Sequence, residues 1–180
     1  MEAKRFGLLR ETVPTAAPIA VLLNPRFQGF DVQLKDIQEA ARAAGQQIHI
    51  FNASSEAEIH AAFRDVARPQ AAALQVGADP FFNGRREQLV TLAAHYGVPA
   101  MYELREYALA GGLMSYGTNL ADAYRQVGNY ATRVLKGDKP ADLPVVQSSK
   151  FELVINLNTA KALRLTIPAG VLAQVDEVIE

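Results

Sequence analysis

Nine side chains in this sequence have the chemistry to bind a small polar molecule, and each lies at or just after the end of a predicted β-strand. They offer amide, hydroxyl, carboxylate, guanidinium and aromatic groups: Asn24, Arg26, Asn52, Ser54, Asp79, Phe81, Tyr102, Glu103 and Tyr116. In open α/β sheets, ligands bind outside the carboxyl ends of the strands. A few polar groups beside aromatic rings suit a small zwitterionic or polar organic ligand.

Structural roles compete with ligand binding at most of these positions. Asn52 and Ser54 could simply cap the helix that follows them, because short polar side chains satisfy the free N–H groups at a helix start. Asp79 precedes a proline, which is a common way to begin a helix. Phe81 could be a core residue, and Glu103 could be a solvated acid in a loop. Both interpretations stay open for these residues.

The sequence lacks the residue patterns of common enzyme and metal sites. Its histidines, His49, His60 and His95, have no metal-ligand spacing to one another or to paired acids, and it has no cysteine. Nucleophile-elbow, phosphate-loop and dinucleotide-binding glycine motifs are absent from it. An acid–base pair of Asp79 and Glu103 is the remaining enzymatic hypothesis. We therefore expect a binding protein that has no catalytic residue, metal or cofactor.

Composition indicates a soluble globular domain and argues against nucleic acid as a partner. The chain has 180 residues, of which 49% are hydrophobic and 21% charged, which is the usual balance for one compact domain. The formal net charge is -1, and scattered basic residues leave no patch for nucleic acid or acidic membranes. Neither a signal peptide nor a membrane span is evident. A chain complete as written would be cytoplasmic.

Apolar runs of strand length alternate with amphipathic helices along most of the chain. Predicted strands cover residues 19–23, 47–51, 71–76, 98–102, 113–116 and 151–157, and predicted helices cover residues 2–13, 31–44, 55–66, 89–96, 104–110, 119–136 and 159–163. The regular strand spacing, with one helix in each early connection, predicts a parallel sheet with helices on both faces. Right-handed crossovers should bring the strand carboxyl ends to one edge. The expected fold is an open, doubly wound, mainly parallel α/β sheet.

Four motifs spread over nearly the whole chain carry a resemblance to a known family. They are IAVLLN at residues 19–24, VGADPFF at 76–82, GGLMSYG at 111–117 and FELVINL at 151–157. A proline-rich PADLP segment and a closing ALRLTIP segment add to them. Taken together, these motifs resemble the substrate-binding proteins of ABC transporters, in particular tryptophan- and phenylalanine-binding proteins.

The resemblance implies one lobe of a periplasmic-binding-protein-like fold. Members of the family are not enzymes; their two α/β lobes close on a solute, which they deliver from the periplasm to an ABC permease. By position, Asn24, Asn52 and Ser54 would line the cleft. Asp79 would accept a ligand ammonium in a charge-assisted hydrogen bond, and Tyr116 would lie near the crossover between lobes.

The same resemblance divides the chain into two parts. Residues 1–112 and 143–180 would form the ligand-binding lobe, and residues 113–142 would be a crossover strand, helix and linker that pack on a further lobe. Without that lobe, the helix at 119–136 would expose its apolar stripe or pair with a second copy in a homodimer.

Two hypotheses follow for the function of the chain. The first is a solute-binding module of an ABC transporter, and the second is an oligomerising or sensor lobe without a transport role. A lone lobe should bind its solute weakly, because half of the cleft provides half of the contacts.

Overall fold

A seven-stranded sheet with helices on both faces forms the framework of the protein. The computed structural model describes residues 1–14, 17–67, 71–145 and 150–180. The strands are β1 (Ile19–Leu23), β2 (Ile48–Asn52), β3 (Ala73–Val76), β4 (Ala100–Tyr102), β5 (Met114–Thr118), β6 (Phe151–Asn156) and β7 (Glu177–Ile179). The helices are α1 (Glu2–Thr12), α2 (Phe30–Ala43), α3 (Glu56–Ala67), α4 (Pro80–Gly84), α5 (Arg86–Tyr96), α6 (Arg105–Leu109), α7 (Leu120–Leu135), α8 (Leu157–Ala162) and α9 (Ala169–Leu172).

The strand order across the sheet is β2-β1-β3-β4-β5-β6-β7. Strands β1 to β5 are mutually parallel, whereas β6 runs antiparallel to β5 and β7 runs parallel to β6. The carboxyl ends of β1 to β5 therefore meet at one edge of the sheet, which we call the carboxyl edge. This architecture confirms the predicted open, mainly parallel α/β fold.

Strand β1 shows why the sheet needs helices on both of its faces. All of its residues are at most 1% exposed, and successive side chains of a strand point to opposite faces. Ile19, Val21 and Leu23 belong to the core under α1 and α2. Ala20 and Leu22 belong to the core under α3 and α5. A continuous apolar run of this kind is typical of a central strand of a parallel sheet.

The structure departs from the sequence predictions where elements are short. The chain after residue 163, predicted as irregular, forms α9 and the edge strand β7. The predicted extended linker contains a 3₁₀ turn at Pro140–Asp142, and its residues 146–149 lie outside the described ranges. The helix that was expected to hold Leu89 is preceded by a separate short helix, α4, and the two meet at Arg85.

Helix α7 lies apart from both cores, and none of its residues is buried. Asn119 caps it as predicted, since its Oδ1 accepts a hydrogen bond of 2.8 Å from the Asp122 N–H. Tyr124 is 72% exposed and Leu135 is 87% exposed, although β5, which leads into the helix, pairs with β4 and β6. The division of the chain at residues 113 and 142 stays a prediction. No helix in the described ranges is long and apolar enough to cross a membrane.

A buried ion pair fastens the start of α1 to the sheet. Glu2 and Arg5, which are 4% and 1% exposed, form a salt bridge. The Gln75 amide of β3 donates a 2.6 Å hydrogen bond to the second Glu2 oxygen. The Arg5 guanidinium also donates to the Tyr116 carbonyl of β5 at 3.3 Å. One side-chain cluster thus joins α1, β3 and β5.

We predict that Glu2→Gln lowers the free energy of unfolding by about 3–5 kcal/mol, because it leaves the buried Arg5 charge uncompensated. Glu39→Gln is the matched control, because Glu39 is exposed and its ion pair with Lys35 is long, at 4.0 Å between Nζ and Oε1. An exposed pair of that kind contributes at most about 1 kcal/mol. Urea unfolding monitored by circular dichroism measures both variants. Equal losses in the two would contradict a stabilising role for the buried pair.

Candidate functional site

The direction of chain progression across the sheet reverses at β1. From β1 the chain crosses to β2 on one side, and it then returns to β3 on the other side. Crossovers that leave in opposite directions open a crevice at the strand carboxyl ends, and ligands of open α/β sheets bind at this switch point. Asn24 follows β1 and Asp79 follows β3, so both lie at this crevice.

Asn24 and Asp79 are in direct contact. The Asn24 Nδ2 lies 3.2 Å from each of the two Asp79 carboxylate oxygens. The Asn24 Oδ1 accepts a 3.0 Å hydrogen bond from the Arg26 N–H, which fixes the orientation of the amide. The sequence prediction that these two turns converge is therefore confirmed by the geometry.

Asp79 is a nearly buried carboxylate whose partners are neutral. It is 4% exposed, and its Oδ1 also accepts a 3.0 Å hydrogen bond from the Phe82 N–H as the N-cap of α4. The capping role that competed with ligand binding is thus present. Among the described residues, no lysine or arginine forms an ion pair with Asp79. The partners of its carboxylate in the described ranges are N–H groups of Asn24 and Phe82.

Gln33 is a polar residue of the crevice that the sequence analysis missed. It lies on α2, is 8% exposed, and donates a 2.6 Å hydrogen bond from Nε2 to the Ala78 carbonyl. A Cβ atom on Gly77 would lie 2.7 Å from both the Gln33 Oε1 and the Leu23 Cδ2. A side chain at residue 77 would therefore force the ends of the Gln33 and Leu23 side chains to move.

A second carboxylate, Glu103, lies farther along the carboxyl edge. The Asn83 Nδ2 donates to the Glu103 Oε2 at 3.3 Å, and the Tyr107 hydroxyl donates to the Asn83 Oδ1 at 3.0 Å. Burial raises the pKa of the Tyr107 hydroxyl, and Tyr102, Glu103 and Asp79 raise that pKa further. The hydroxyl is consequently protonated at neutral pH and available as a donor.

Asn83 and Tyr107 were not predicted as site residues. The sequence contains a local signal for Asn83 but none for Tyr107. A helix that begins at Asp79 places Asn83 on the same face, one turn later. Tyr107 is 24 residues from Asn83, and that distance along the chain conceals their contact.

Tyr102, a predicted site residue, lies in the protein interior. It is 0% exposed, and its ring stacks on Tyr107 at 4.5 Å between centroids. Strand alternation explains the placement, because Tyr102 shares the face of Ala100 in the core under α3 and α5. The structure therefore brings the Tyr107 hydroxyl, rather than the Tyr102 hydroxyl, to the Asn83–Glu103 group.

Arg26, Asn52 and Ser54 lie at the outer end of the carboxyl edge. The Arg26 and Asn52 residues are exposed. The Ser54 N–H and hydroxyl donate to one Glu58 oxygen at 2.6 and 2.9 Å, and the N–H bond is the largest cause of a lowered Glu58 pKa. Ser54 thus has a capping contact at the start of α3, and its role in ligand binding stays a prediction.

The two remaining predicted aromatic residues are half-buried. The Phe81 ring packs against Phe82 at 5.8 Å, and the Arg85 guanidinium lies 5.8 Å from the Phe81 ring centroid. The Tyr116 ring stacks with Phe151 at 6.2 Å, on the α1 side of β5. Both rings thus pack against other aromatic rings, and their role in ligand binding stays a prediction.

The side chains at this edge can bind a ligand through hydrogen bonds. Two carboxylates are oriented by side-chain amides, and no group of three or more His, Asp or Glu side chains in the described ranges is arranged to hold a metal ion. A ligand with a cationic group would find a negative charge at Asp79 and a second acceptor at Glu103.

A protein-family model described as ABC transporter substrate binding protein matches residues 2–179. Among curated proteins, the chain is 22% identical over 160 residues to a tyrosine-binding protein of Clostridioides difficile (strain R20291). That match covers 89% of this chain and 46% of the relative. The chain thus spans about half the length of that curated relative.

Two solved structures superpose on nearly the whole chain. A conserved domain protein from Vibrio cholerae gives a TM-score of 0.85 at 22% identity, covering 98% of this chain and 60% of that one. An ABC domain from Streptococcus pneumonia, solved in complex with L-Trp, gives a TM-score of 0.85 at 26% identity and covers 99% and 62% respectively. This chain therefore spans about three fifths of each solved structure.

We predict that Asp79→Ala lowers the free energy of unfolding by about 1–3 kcal/mol, because it removes the α4 cap and the acceptor of the Asn24 amide. Asp79→Asn should cost less than half as much, since asparagine is also a good N-cap. Urea unfolding of the two variants tests this. An Asp79→Ala variant as stable as the parent chain would show that the carboxylate oxygens do not hold the two turns together.

Proposed function

The chain belongs to the ABC transporter substrate-binding protein family, and we propose that it binds a small amino-acid-like solute at the carboxyl edge of its sheet. The observation that carries the proposal is the Asp79 carboxylate, which is 4% exposed and lies at the β1–β3 switch point without an ion-pair partner among the described residues. A buried charge normally needs a partner of opposite charge. A ligand ammonium would supply that charge in a charge-assisted hydrogen bond.

The groups around Asp79 and the relatives both support a proposal for the solute class. Amide, carboxylate and aromatic side chains near one edge suit a zwitterion with a ring. One relative is named a tyrosine-binding protein, and another was solved with L-Trp. We therefore propose an aromatic amino acid, with Asp79 binding its ammonium, and we propose Arg26, Asn52, Phe81 and Tyr116 as further lining residues.

Binding, rather than catalysis, is the proposed role of the two carboxylates. Asp79 and Glu103 accept hydrogen bonds from the side-chain amides of Asn24 and Asn83, which neither take up nor release protons at neutral pH. The family consists of binding proteins, which supports the same conclusion.

The exposed face of α7 supports the proposal that this chain supplies one side of a two-sided site. The relatives are longer than this chain, and the α7 residues Tyr124, Val127 and Leu135 are each more than 60% exposed. Large exposed apolar patches mark interaction surfaces. We propose that α7 packs on a second α/β lobe of the whole protein, with a second copy of this chain as the alternative occupant.

Family membership supports a proposal for the partners and location of the whole protein. We propose that it delivers its solute to an ABC permease, in the periplasm or at the outer surface of the cell. The alternative of a sensor lobe without a transport role receives no support from the relatives, one of which is named for amino-acid binding.

We predict that L-tryptophan binds the chain and that Asp79→Asn weakens this binding at least about tenfold, through loss of the charge-assisted hydrogen bond. The protein contains no tryptophan, so indole emission excited at long wavelength reports the ligand alone. Glu11→Gln, which changes an exposed acid at the end of α1, is the control and should bind normally.

Two outcomes would reject this function. One is the absence of any emission change or thermal stabilisation at millimolar concentrations of aromatic amino acids. The other is an Asp79→Asn variant that is folded and binds as tightly as the parent chain.

A further inference from the structure

Glu103 is held in place by a chain of hydrogen bonds that begins in the core. Tyr107 is 2% exposed, and its ring is fixed against the Tyr102 ring at an interplanar angle of 12°. Its hydroxyl binds the Asn83 Oδ1, and this contact orients the Asn83 amide so that Nδ2 faces Glu103. These contacts restrict the orientation of the Glu103 carboxylate, whereas a loop acid that contacts only water would be free to move.

The backbone at Glu103 is constrained from the other side by β5. A Cβ atom on Gly117 would lie 2.0 Å from the Glu103 carbonyl oxygen and 3.5 Å from its Cγ. No flexible side chain could relieve this contact, because the nearest atom belongs to the backbone. Glycine at 117 therefore allows β5 to pass close to Glu103, which is confined between α4 and β5.

The two carboxylates of the carboxyl edge are held by different elements. Asp79 bonds to the turn after β1 and caps α4, whereas Glu103 follows β4 and lies against β5. Asn83, one helical turn after Asp79, donates to Glu103. Two donors of one ligand can therefore each have their own carboxylate.

We propose that Glu103 is a specificity-determining residue of this site: it accepts a hydrogen bond from a donor on the ligand ring, while Asp79 holds the ammonium. This inference rests on the proposed function and narrows its ligand class. It selects aromatic amino acids that carry a ring donor, such as a phenol hydroxyl or an indole N–H. Asn83 and Tyr107 act as positioning residues for the Glu103 carboxylate.

Discrimination follows from the cost of leaving a carboxylate oxygen unpaired. A ligand ring without a donor would displace water from the Glu103 carboxylate without replacing the hydrogen bond that the water made. Sites that hydrogen-bond a ligand hydroxyl therefore reject analogues that lack it. Glu103 is half-buried, which keeps the penalty moderate. We expect the chain to bind tyrosine about tenfold more tightly than phenylalanine.

Calorimetric titration of the chain with L-tyrosine and L-phenylalanine tests the proposal. In Glu103→Ala the affinity ratio of the two ligands should fall to about one, and in Glu103→Gln, which keeps a neutral acceptor, it should be intermediate. Tyr107→Phe should lower the ratio, because the Asn83 amide would no longer be held toward Glu103. Glu87→Gln, an exposed acid on α5, is the matched control and should keep the full ratio. Thermal unfolding verifies that each variant is folded.

The outcomes separate this inference from the proposed function. If both amino acids bind in an Asp79-dependent manner but the ratio survives in Glu103→Ala, the assignment of Glu103 is wrong and the proposed function stands. A parent chain that does not prefer tyrosine overturns the assignment in the same way. If neither amino acid binds, the proposed function fails and the role of Glu103 fails with it.

Discussion

The position of the candidate site depends on the reversal of chain direction at β1. Because β2 and β3 lie on opposite sides of β1, the turns that follow β1 and β3 are separated by a crevice that no crossover fills. The hydrogen bonds between the Asn24 amide and the Asp79 carboxylate join these turns across the crevice. In the part of the chain that the structure describes, this nearly buried carboxylate has N–H partners and no ion pair with lysine or arginine, which is the reason to expect a cationic ligand group.

The sheet is well covered by helices, whereas α7 is not packed against the cores, and this difference agrees with a site between two lobes. Both faces of the sheet are covered by helices with closely packed cores, and the buried Glu2–Arg5 pair connects α1 with β3 and β5. Helix α7, by contrast, has no buried residue. We propose the carboxyl edge as the surface for a small solute and α7 as the surface for another α/β lobe.

The sequence predicted the parts of the fold that are governed by local pattern. Central strands such as Ile19–Leu23 are continuous apolar runs that end at turn residues, and helix ends carry capping residues such as Asn119. The elements it missed, α9 and β7, are four and three residues long and too short for periodicity to show. The pairing of β7 with β6 is a tertiary contact.

Site residues were predictable where they follow strands and less so where they lie on helices. Asn24 and Asp79 were found because parallel strands end at a common edge. Tyr102 was placed at that edge by chain position, although strand alternation puts its ring in the core with Ala100. Gln33 and Tyr107 reach the edge from α2 and α6, through contacts between residues 45 and 24 positions apart, which no local pattern reveals.

The most direct test of the account is a map of backbone amide chemical shifts during titration of the isotopically labelled chain with an aromatic amino acid. The account predicts that the largest changes occur in the turns after β1, β3 and β4, around Asn24, Asp79 and Glu103. The opposite edge of the sheet, around Gly97 and Asn156, should be unaffected. Changes concentrated at that opposite edge, or spread evenly over the surface, would contradict a solute site at the carboxyl edge.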